Sequence, residues 1–281
     1  MKIHYLGPEG TFSYLAAKNF LKDLAEPNGR FGDLLGHLRV EDVFEAMDND
    51  WDFGVIAAES NIEGVVTRNI DLLIERTDLK VAAQVAVNVS FDVVGKKNIL
   101  QNQSKVFAHQ HALAQCRNFI SENQLIENPV ASNVAALENL EGKEIALVPS
   151  FATNKLCEKY NLEIIDKDVQ DYKNAQTQFY ILHKIHPDPQ CLPINDINNT
   201  TILYFIPPRI GPGTLLEVLQ IFNNHKLNMI ELFSRPIKSV TNEYSFVTIL
   251  EKGHLTIEVQ SAINELRNLG AKVRIIGSYK R

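Results

Sequence analysis

A glycine-rich turn near the amino terminus is the first place in the chain where backbone groups could bind an anion. Residues 7–13, Gly-Pro-Glu-Gly-Thr-Phe-Ser, follow the apolar residues 3–6 and predict a strand, a tight turn and a helix that begins near Thr11. Such a turn directs unpaired N–H groups and the positive end of a helix dipole at one point, which suits a carboxylate or a phosphate. Gly10 would let a ligand approach the backbone closely. The alternative is an ordinary strand-to-helix turn in which Thr11 or Ser13 caps the helix.

A polar loop is the second candidate for chemistry. Residues 59–64, Glu-Ser-Asn-Ile-Glu-Gly, come directly after the predicted strand 53–58. Ligands of open α/β sheets bind beyond the carboxyl ends of strands, so this loop is well placed to contact one. The alternative is a simple strand exit, with an asparagine in the turn and a glycine at positive φ. The candidate binding residues of the loop are Glu59, Ser60, Asn61 and Gly64.

A threonine at the start of a strand is the third candidate. Thr177 lies within residues 174–179, Asn-Ala-Gln-Thr-Gln-Phe, where a loop enters the predicted strand 178–183. Its hydroxyl could donate a hydrogen bond to a bound oxygen. Alternatively, Thr177 is there because a β-branched residue favours a strand.

Composition excludes several classes of function. The chain has 281 residues and a net charge of −6, which argues against a nucleic-acid partner because such proteins need a basic surface. No apolar run approaches the roughly 20 residues of a membrane span, and the amino terminus does not resemble a signal peptide. Cys116, Cys157 and Cys191 are widely spaced, so neither a metal site nor a disulfide framework is expected, and a reduced, cytoplasmic setting fits.

Two different patterns of predicted helices and strands divide the chain. Up to residue 183, short apolar strands alternate with amphipathic helices, as in an α/β domain. Residues 184–200 carry three prolines and read as a linker. The last part has the order βαββαβ, the ferredoxin-like split βαβ pattern. The predicted strands are 2–6, 53–58, 81–87, 104–108, 144–148, 178–183, 201–206, 229–233, 244–250 and 273–277, and the predicted helices are 12–25, 41–48, 67–75, 111–122, 132–140, 151–160, 215–225 and 257–269.

Taken together, these segments resemble the prephenate dehydratase family over essentially the whole chain. The likeness includes residues 109–116, His-Gln-His-Ala-Leu-Ala-Gln-Cys, and residues 233–236, Phe-Ser-Arg-Pro. It implies a catalytic domain at 1–183 with two lobes, built like a type II periplasmic binding protein, the second lobe at about 80–165. It also implies the linker 184–200 and a regulatory ACT domain at 201–281. Because no chorismate mutase segment precedes residue 1, the chain resembles the monofunctional form.

The resemblance implies the decarboxylating dehydration of prephenate to phenylpyruvate in L-phenylalanine biosynthesis, with no metal and no cofactor. Thr177 would be catalytic, as a hydrogen-bond donor to the leaving hydroxide. Thr11 and nearby N–H groups would hold a carboxylate, Ser60 and Asn61 would bind substrate oxygens, and Phe179 would form a wall beside the ring. The substrate-binding residues implied in this way are Gly10, Thr11, Ser13, Glu59, Ser60, Asn61, Gly64, Gln178 and Phe179.

One departure from the family pattern falls beside the catalytic threonine. The family usually has arginine where this chain has Gln178. If that arginine clamps a substrate carboxylate, its loss removes a bidentate charged contact, and Gln178→Arg should raise turnover. If the arginine serves structure, the replacement changes little.

The C-terminal part resembles a sensor of L-phenylalanine that binds between subunits, which implies a homodimer or homotetramer. The family's glutamate in the second effector segment is replaced by Phe233, so phenylalanine inhibition is expected to be weak or absent because the ammonium group loses a partner. Arg235 could hold a carboxylate or be a solvated strand charge. The effector residues implied by the resemblance are Gly213, Thr214, Leu215, Phe233, Ser234, Arg235 and Pro236.

Two other functions fit the same residues. One is a prephenate decarboxylase-like enzyme on this scaffold, which would leave the ring hydroxyl in place. The other is a non-catalytic small-molecule binding protein with two lobes. Thr177 argues against the decarboxylase, because that reaction needs no donor to a leaving hydroxide.

Overall fold

The computed structural model describes residues 1–28, 32–47, 51–96, 100–135, 137, 140–185, 199–209, 211–237 and 243–281. The chain divides into two compact units. Unit 1 comprises Met1–Ala46, Val55–Val66 and Val85–Phe179, and unit 2 comprises Met47–Gly54, Thr67–Gln84 and Tyr180–Arg281. The predicted division into 1–183, 184–200 and 201–281 follows the sequence pattern and stays a prediction, and residues 186–198 of the predicted linker lie outside the described residues.

The helices and strands alternate through most of the chain. In order they are β1 Lys2–Leu6, α1 Phe12–Asn28, β2 Asp33–His37, α2 Val40–Glu45, β3 Phe53–Ser60, β4 Gly64–Val65, α3 Thr67–Glu75, β5 Leu79–Asn88, β6 Phe91–Gly95, β7 Lys105–Ala108, α4 Gln110–Gln115, α5 Arg117–Glu122, β8 Ile126–Pro129, β9 Ile145–Pro149, a short 3-10 helix at Ser150–Ala152, α6 Thr153–Tyr160, β10 Glu163–Asp166, β11 Gln176–Lys184, β12 Thr200–Ile206, α7 Thr214–Asn224, β13 Met229–Pro236, β14 Tyr244–Leu250, α8 Ile257–Asn268 and β15 Lys272–Tyr279.

Unit 1 contains two sheets. The first has the order β11-β3-β1-β2, with β1 and β2 parallel and the short β4 folded back antiparallel on the end of β3. The second has the order β10-β6-β9-β7-β8 and is mixed, because β7 is parallel to both β8 and β9 while β6 is antiparallel to β9. Parallel neighbours bring successive strand ends to the same edge of a sheet, where the loops of a site can collect.

An apolar cluster in unit 1 joins segments that are far apart in sequence. Its buried members include Phe91 on β6, Leu113 on α4 and Ala175 just before β11. Phe12 at the start of α1 and Ile62 in the 59–64 loop pack against the same cluster. Burial of these apolar side chains therefore fixes the turn, the loop and the start of β11 relative to one another.

Unit 2 contains the βαββαβ segment. Its strands have the order β13-β14-β12-β15, followed by β5, and β12 pairs antiparallel with both of its neighbours. A second apolar cluster packs Leu203 and Phe205 of β12 against Val218 and Phe222 of α7 and against α8. The element order and the antiparallel sheet confirm the predicted ferredoxin-like arrangement of this segment.

The structure corrects two helix predictions. The predicted helix 111–122 is two helices, α4 and α5, which meet at Cys116. The predicted helix 132–140 is wrong for its described residues, because residues 132–135 form turns in which Ser132 Oγ accepts a hydrogen bond from the Ala135 N–H group. A local side-chain acceptor of this kind competes with helical pairing. The short strands β2, β4, β6, β8 and β10 were not predicted.

His183 on β11 gives unit 2 a specific dependence on pH. The side chain is 5% exposed, and burial lowers the pKa of His183 from its ordinary 6.5 to about 4. Between these values the unfolded chain binds a proton that the folded chain does not. The free energy of unfolding should therefore fall as the pH falls, by at most about 1.4 kcal/mol per pH unit from this group. Urea unfolding at neutral pH and near pH 5 should show a smaller loss in His183→Gln than in the parent protein, and equal losses would contradict this assignment.

Candidate active site

The 7–13 turn is held by the side chain of Thr11. Thr11 Oγ1 donates to the Leu6 carbonyl (3.1 Å) and accepts from the Tyr14 N–H group (3.2 Å), and the Thr11 N–H group donates to the Pro8 carbonyl (3.4 Å). These bonds make Thr11 the N-cap of α1 and use both of its donors within the protein, and the predicted contact of Thr11 with substrate stays a prediction. Gly10 has φ = 95°, a left-handed conformation that favours glycine.

The donors that remain at this turn belong to the helix backbone. Among the residues that the structure describes, the N–H groups of Phe12 and Ser13 have no hydrogen-bond partner, while Tyr14 and Leu15 are satisfied by Thr11. The Ser13 side chain is 9% exposed, so the contribution of this residue to a site would come from its backbone. Two unpaired N–H groups at the start of α1 are suited to an anion.

Aromatic and charged contacts fix the turn within unit 1. The Phe12 ring lies edge-on to Phe91 with centroids 5.5 Å apart, and it also contacts Phe151. Lys155 Nζ donates to Glu9 Oε1 (2.6 Å), and this bond, with a second from Tyr14, lowers the pKa of Glu9. The Glu9 carboxylate is thus neutralised locally, which reduces its repulsion of an anion at the turn.

Asn61 ties the 59–64 loop to the start of β11. Its Nδ2 donates to the Asn174 carbonyl (2.9 Å), its Oδ1 accepts from the Gln176 N–H group (2.8 Å), and its own N–H group donates to the Gln176 carbonyl (3.0 Å). The side-chain amide of Asn61 is therefore engaged with the backbone of Asn174 and Gln176, and its predicted direct contact with substrate stays a prediction. Gly64 has φ = 80°, as the turn alternative predicts.

Glu63 ties the same loop to α4. Its Oε1 accepts from Gln115 Nε2 (3.1 Å), and its Oε2 contacts His111 Nδ1. His111 also stacks on His109, whose pKa is lowered by burial and by the charge of His111. Sequence reasoning did not single out Glu63. Two features of the sequence could have pointed to Glu63. It lies in the loop of candidate residues, and its partners His111 and Gln115 lie in the segment 109–116 that resembles the family.

Two polar side chains at the ends of neighbouring strands stay without partners. Thr177 on β11 and Glu59 on β3 are both half-buried, and neither side chain has a hydrogen-bond partner within the described part of the chain. Because no group of the described residues satisfies these two side chains, both can form a hydrogen bond to a ligand or to water. Ser60 Oγ accepts from the Ile62 N–H group (3.2 Å), which leaves the Ser60 hydroxyl proton able to donate.

Gln178 and Phe179 have different surroundings from those predicted. Gln178 Nε2 donates to Gln176 Oε1 (2.9 Å), and Gln176 Nε2 donates to Asn88 Oδ1 (3.1 Å). Because side chains alternate along a strand, this amide chain lies on the face of β11 opposite to Thr177. Phe179 shares the face of Thr177 and is 2% exposed, so it is a core residue of this structure, and its predicted contact with substrate stays a prediction.

The predicted effector residues all lie in unit 2, but they differ in backbone conformation, in burial and in hydrogen bonding. Gly213 has φ = 84° at the start of α7, and the adjacent Thr214 is buried with an Oγ1 that has no hydrogen-bond partner. Leu215 packs against the apolar cluster of this unit. Phe233 is half-buried, whereas Ser234 and Pro236 are exposed on β13.

Arg235 is neither a solvated charge nor an open carboxylate site. Its Nε and Nη2 donate to the two carboxylate oxygens of Asp71 on α3, at 2.6 and 2.5 Å. The hydrogen bond to Asp71 raises the pKa of Arg235. The solvated-charge alternative is therefore wrong, because the guanidinium is paired within the protein, and the binding of an effector carboxylate by Arg235 stays a prediction.

Other site types were sought in the part of the chain that the structure describes. Within it, no three His, Cys, Asp or Glu side chains lie close enough together to hold a metal ion. In the same residues, every helix is too short or too polar to cross a membrane. Cys116 is buried, which raises the pKa of its thiol to about 12 and makes it unreactive as a nucleophile.

Unit 1 has an α/β fold that, within the described residues, carries unpaired main-chain N–H groups at the start of α1 and side chains without a protein partner at Glu59 and Thr177. A family model described as prephenate dehydratase matches residues 3–187, so the chain belongs to the prephenate dehydratase family. This confirms the predicted resemblance and, with it, the class of carbon–oxygen lyases.

Relatives match over the full length of the chain. The bifunctional chorismate mutase/prephenate dehydratase of Aquifex aeolicus is 31% identical over 100% of this chain and 74% of its own length. The prephenate dehydratase of Bacillus subtilis is 27% identical over 100% of this chain and 99% of its own length. The crystal structure of prephenate dehydratase from Arthrobacter aurescens in complex with L-Phe superposes with a TM-score of 0.83 at 24% identity, covering 100% of this chain and 90% of that one. This last likeness confirms the fold.

The family usually has arginine at the position of Gln178. The location of Gln178 supports the alternative in which that arginine serves structure and does not clamp a substrate carboxylate. Since Gln178 lies on the strand face opposite to Thr177, a ligand at the Thr177 hydroxyl would not meet it. Gln178→Arg should therefore change kcat/KM for prephenate by less than about threefold, because no charge-assisted bond to substrate is gained. Steady-state kinetics on the variant measures this, and a gain of tenfold or more would restore the idea of a lost carboxylate clamp.

Proposed function

We propose that this chain catalyses the decarboxylating dehydration of prephenate to phenylpyruvate, a step in the synthesis of L-phenylalanine. Family membership supports the reaction. The observation that carries the residue assignment is the Thr177 hydroxyl, which is half-buried at the start of β11 and has no partner among the described residues. The adjacent residue Gln176 is bonded to Asn61 in the 59–64 loop. The hydroxyl therefore has a fixed position beside the candidate binding residues of that loop.

The reaction determines what the protein must supply. The bond between the ring and its carboxylate breaks, CO₂ leaves, and the electron pair enters the ring. The ring then expels its hydroxyl group, which takes a proton and departs as water, while the ring becomes aromatic. No oxidant, reductant or covalent nucleophile enters this balance. The protein needs to hold a dianion in one pose and to stabilise the departing hydroxide.

The residues of unit 1 divide these tasks. The N–H groups of Phe12 and Ser13 bind a substrate carboxylate at the positive end of α1, and Gly10 keeps the approach open. Ser60 donates its hydroxyl proton to a substrate oxygen. Glu59 orients the polar groups around it and does not face a carboxylate, because two like charges would repel.

Thr177 acts on the leaving group. A threonine hydroxyl is a very weak acid, so it donates a hydrogen bond to the departing oxygen or relays a proton from water and is not itself a proton reservoir. Such a contact strengthens as negative charge develops on the oxygen, so it stabilises the transition state more than the bound substrate. This difference distinguishes a catalytic role from simple binding.

Replacing Thr177 by valine tests the proposal, because valine keeps the shape and removes the hydroxyl. We expect kcat for phenylpyruvate formation to fall by about a hundredfold or more while KM changes little. Thr177→Ser, which keeps a hydroxyl, should retain most of the activity. Calorimetry with prephenate should show binding to all three proteins. Undiminished kcat in the valine variant would contradict the role of Thr177, and binding without turnover in the parent protein would favour a binding protein.

We further propose that L-phenylalanine is an effector and that copies of the chain associate in the cytoplasm as a homodimer or homotetramer. The relative from Arthrobacter aurescens was crystallised with L-Phe, and Thr214 here has a buried hydroxyl with no partner. In unit 2, β13 is an edge strand that pairs with β14, and its outer edge offers backbone groups to a second chain.

A further inference from the structure

Two contacts join the start of α6 to the 7–13 turn within unit 1. Phe151, on the short 3-10 helix directly before α6, lies against Phe12 with ring centroids 5.9 Å apart. About one helical turn further on, Lys155 Nζ donates to Glu9 Oε1 at 2.6 Å. An aromatic pair and a charged pair therefore place the same face of this segment beside the turn.

A buried carboxylate holds the start of α6 in place. Asp92 on β6 is 4% exposed and accepts hydrogen bonds from Ser150 Oγ (2.7 Å) and Thr153 Oγ1 (2.8 Å). Ser150 begins the 3-10 helix and Thr153 begins α6, so both ends of the short 3-10 helix are fixed. Because the backbone is anchored here, the distance of the Lys155 ammonium from the turn depends chiefly on its own side chain.

The Lys155 ammonium has hydrogen-bonding capacity that the protein does not use. A lysine ammonium carries three N–H donors. Glu9 takes one of them, and the others have no partner among the residues that the structure describes. The Lys155 side chain is 71% exposed, so a ligand can reach it. The Glu9 carboxylate is also hydrogen-bonded to Tyr14, and it therefore tethers the ammonium beside the turn.

The donors of Lys155 and those of helix α1 lie beside the same turn. Within the described residues, the N–H groups of Phe12 and Ser13 at the start of α1 have no partner. The first N–H groups of a helix point away from it, toward the residues that precede the helix. Those residues include Glu9, to which Lys155 is bonded. A charged donor and two main-chain donors are therefore available to one anionic ligand.

Prephenate needs donors for two carboxylates, and their charges behave differently in the reaction. The ring carboxylate leaves as CO₂ and loses its charge. The side-chain carboxylate keeps its charge throughout and remains in phenylpyruvate. A contact to the side-chain carboxylate stabilises the bound substrate and the transition state to the same extent, so it lowers KM and leaves kcat unchanged.

We propose that Lys155 is a further substrate-binding residue, which binds the side-chain carboxylate of prephenate through the donors that Glu9 does not use. The assignment rests on the dehydration proposed above, since it concerns the same substrate. The tether to Glu9 restricts the flexible lysine before the substrate arrives, which reduces the conformational entropy lost on binding. Lys155 thereby supplies a local positive charge in a chain whose net charge is −6.

The test must separate this contact from a simpler role, in which Lys155 only neutralises Glu9. Lys155→Met alone does not separate them, because an unpaired Glu9 would repel the substrate and raise KM in either case. We therefore compare Glu9→Gln with Glu9→Gln combined with Lys155→Met, since position 9 then carries no charge to neutralise. KM for prephenate should be at least about fivefold higher in the double variant, with kcat within about twofold. Equal KM values would overturn the proposal.

Lys159→Met in the same Glu9→Gln background is the matched control. Lys159 lies about one turn further along α6, and its Nζ lies over the Tyr160 ring, 4.7 Å from the centroid. This variant removes the same charge from the same helix and leaves Lys155 in place. KM should stay within about twofold of the Glu9→Gln value, because the general field of one exposed charge is weak and screened. An equal rise in both lysine variants would refute a direct contact.

Binding of phenylpyruvate identifies the carboxylate that Lys155 contacts. Phenylpyruvate keeps only the side-chain carboxylate, so its dissociation constant, measured by calorimetry, should rise between Glu9→Gln and the double variant by the same factor as KM. Unchanged affinity for phenylpyruvate would contradict the assignment. Calorimetry needs no turnover, so a failure of the proposed dehydration is seen in the parent protein and a failure of the Lys155 contact is seen in the variants.

Discussion

The side-chain amide of Asn61 is the contact on which the proposed site depends. The amide donates to the Asn174 carbonyl and accepts from the Gln176 N–H group, while the Asn61 N–H group donates to the Gln176 carbonyl, so these bonds extend the pairing of β3 with β11 beyond the end of the strand. The next residue is Thr177. A half-buried hydroxyl can act on a leaving group only if its distance from the bound substrate is fixed, because a displacement of about 1 Å can reduce the rate a hundredfold. The apolar cluster beneath, into which Phe12 and Ile62 both pack, holds the turn and the loop at the same place.

The proposed site binds an anion although the net charge of the chain is negative. The net charge is −6, so long-range steering of a dianion is unfavourable. The proposed site relies instead on local dipoles, chiefly the N–H groups at the start of α1. Two acidic residues of the candidate segments are paired, Glu9 with Lys155 and Glu63 with Gln115 and His111, whereas Glu59 has no partner among the described residues. Fixed dipoles of this kind need no reorganisation when charge moves from the carboxylate to the departing hydroxide.

Sequence reasoning located the segments of the site better than the roles of their atoms. Spacing and alternation predicted the helix at 67–75, the strand at 244–250 and the βαββαβ order, because these elements have a regular apolar face. It missed β2, which is short and largely exposed. Thr11, Asn61 and Phe179 lie in the predicted segments, yet their polar atoms or rings are committed to the protein itself. Whether a donor is already used depends on contacts between distant residues, such as Asn61 with Asn174 and Arg235 with Asp71, and no local pattern encodes those.

The most direct test of the central claim is the product that the purified protein forms from prephenate at neutral pH. The account predicts phenylpyruvate and CO₂ in equal amounts, with the ring hydroxyl lost as water and no metal or cofactor added. A product that has lost CO₂ but keeps the hydroxyl would contradict it, because the Thr177 hydroxyl would then have no leaving group on which to act.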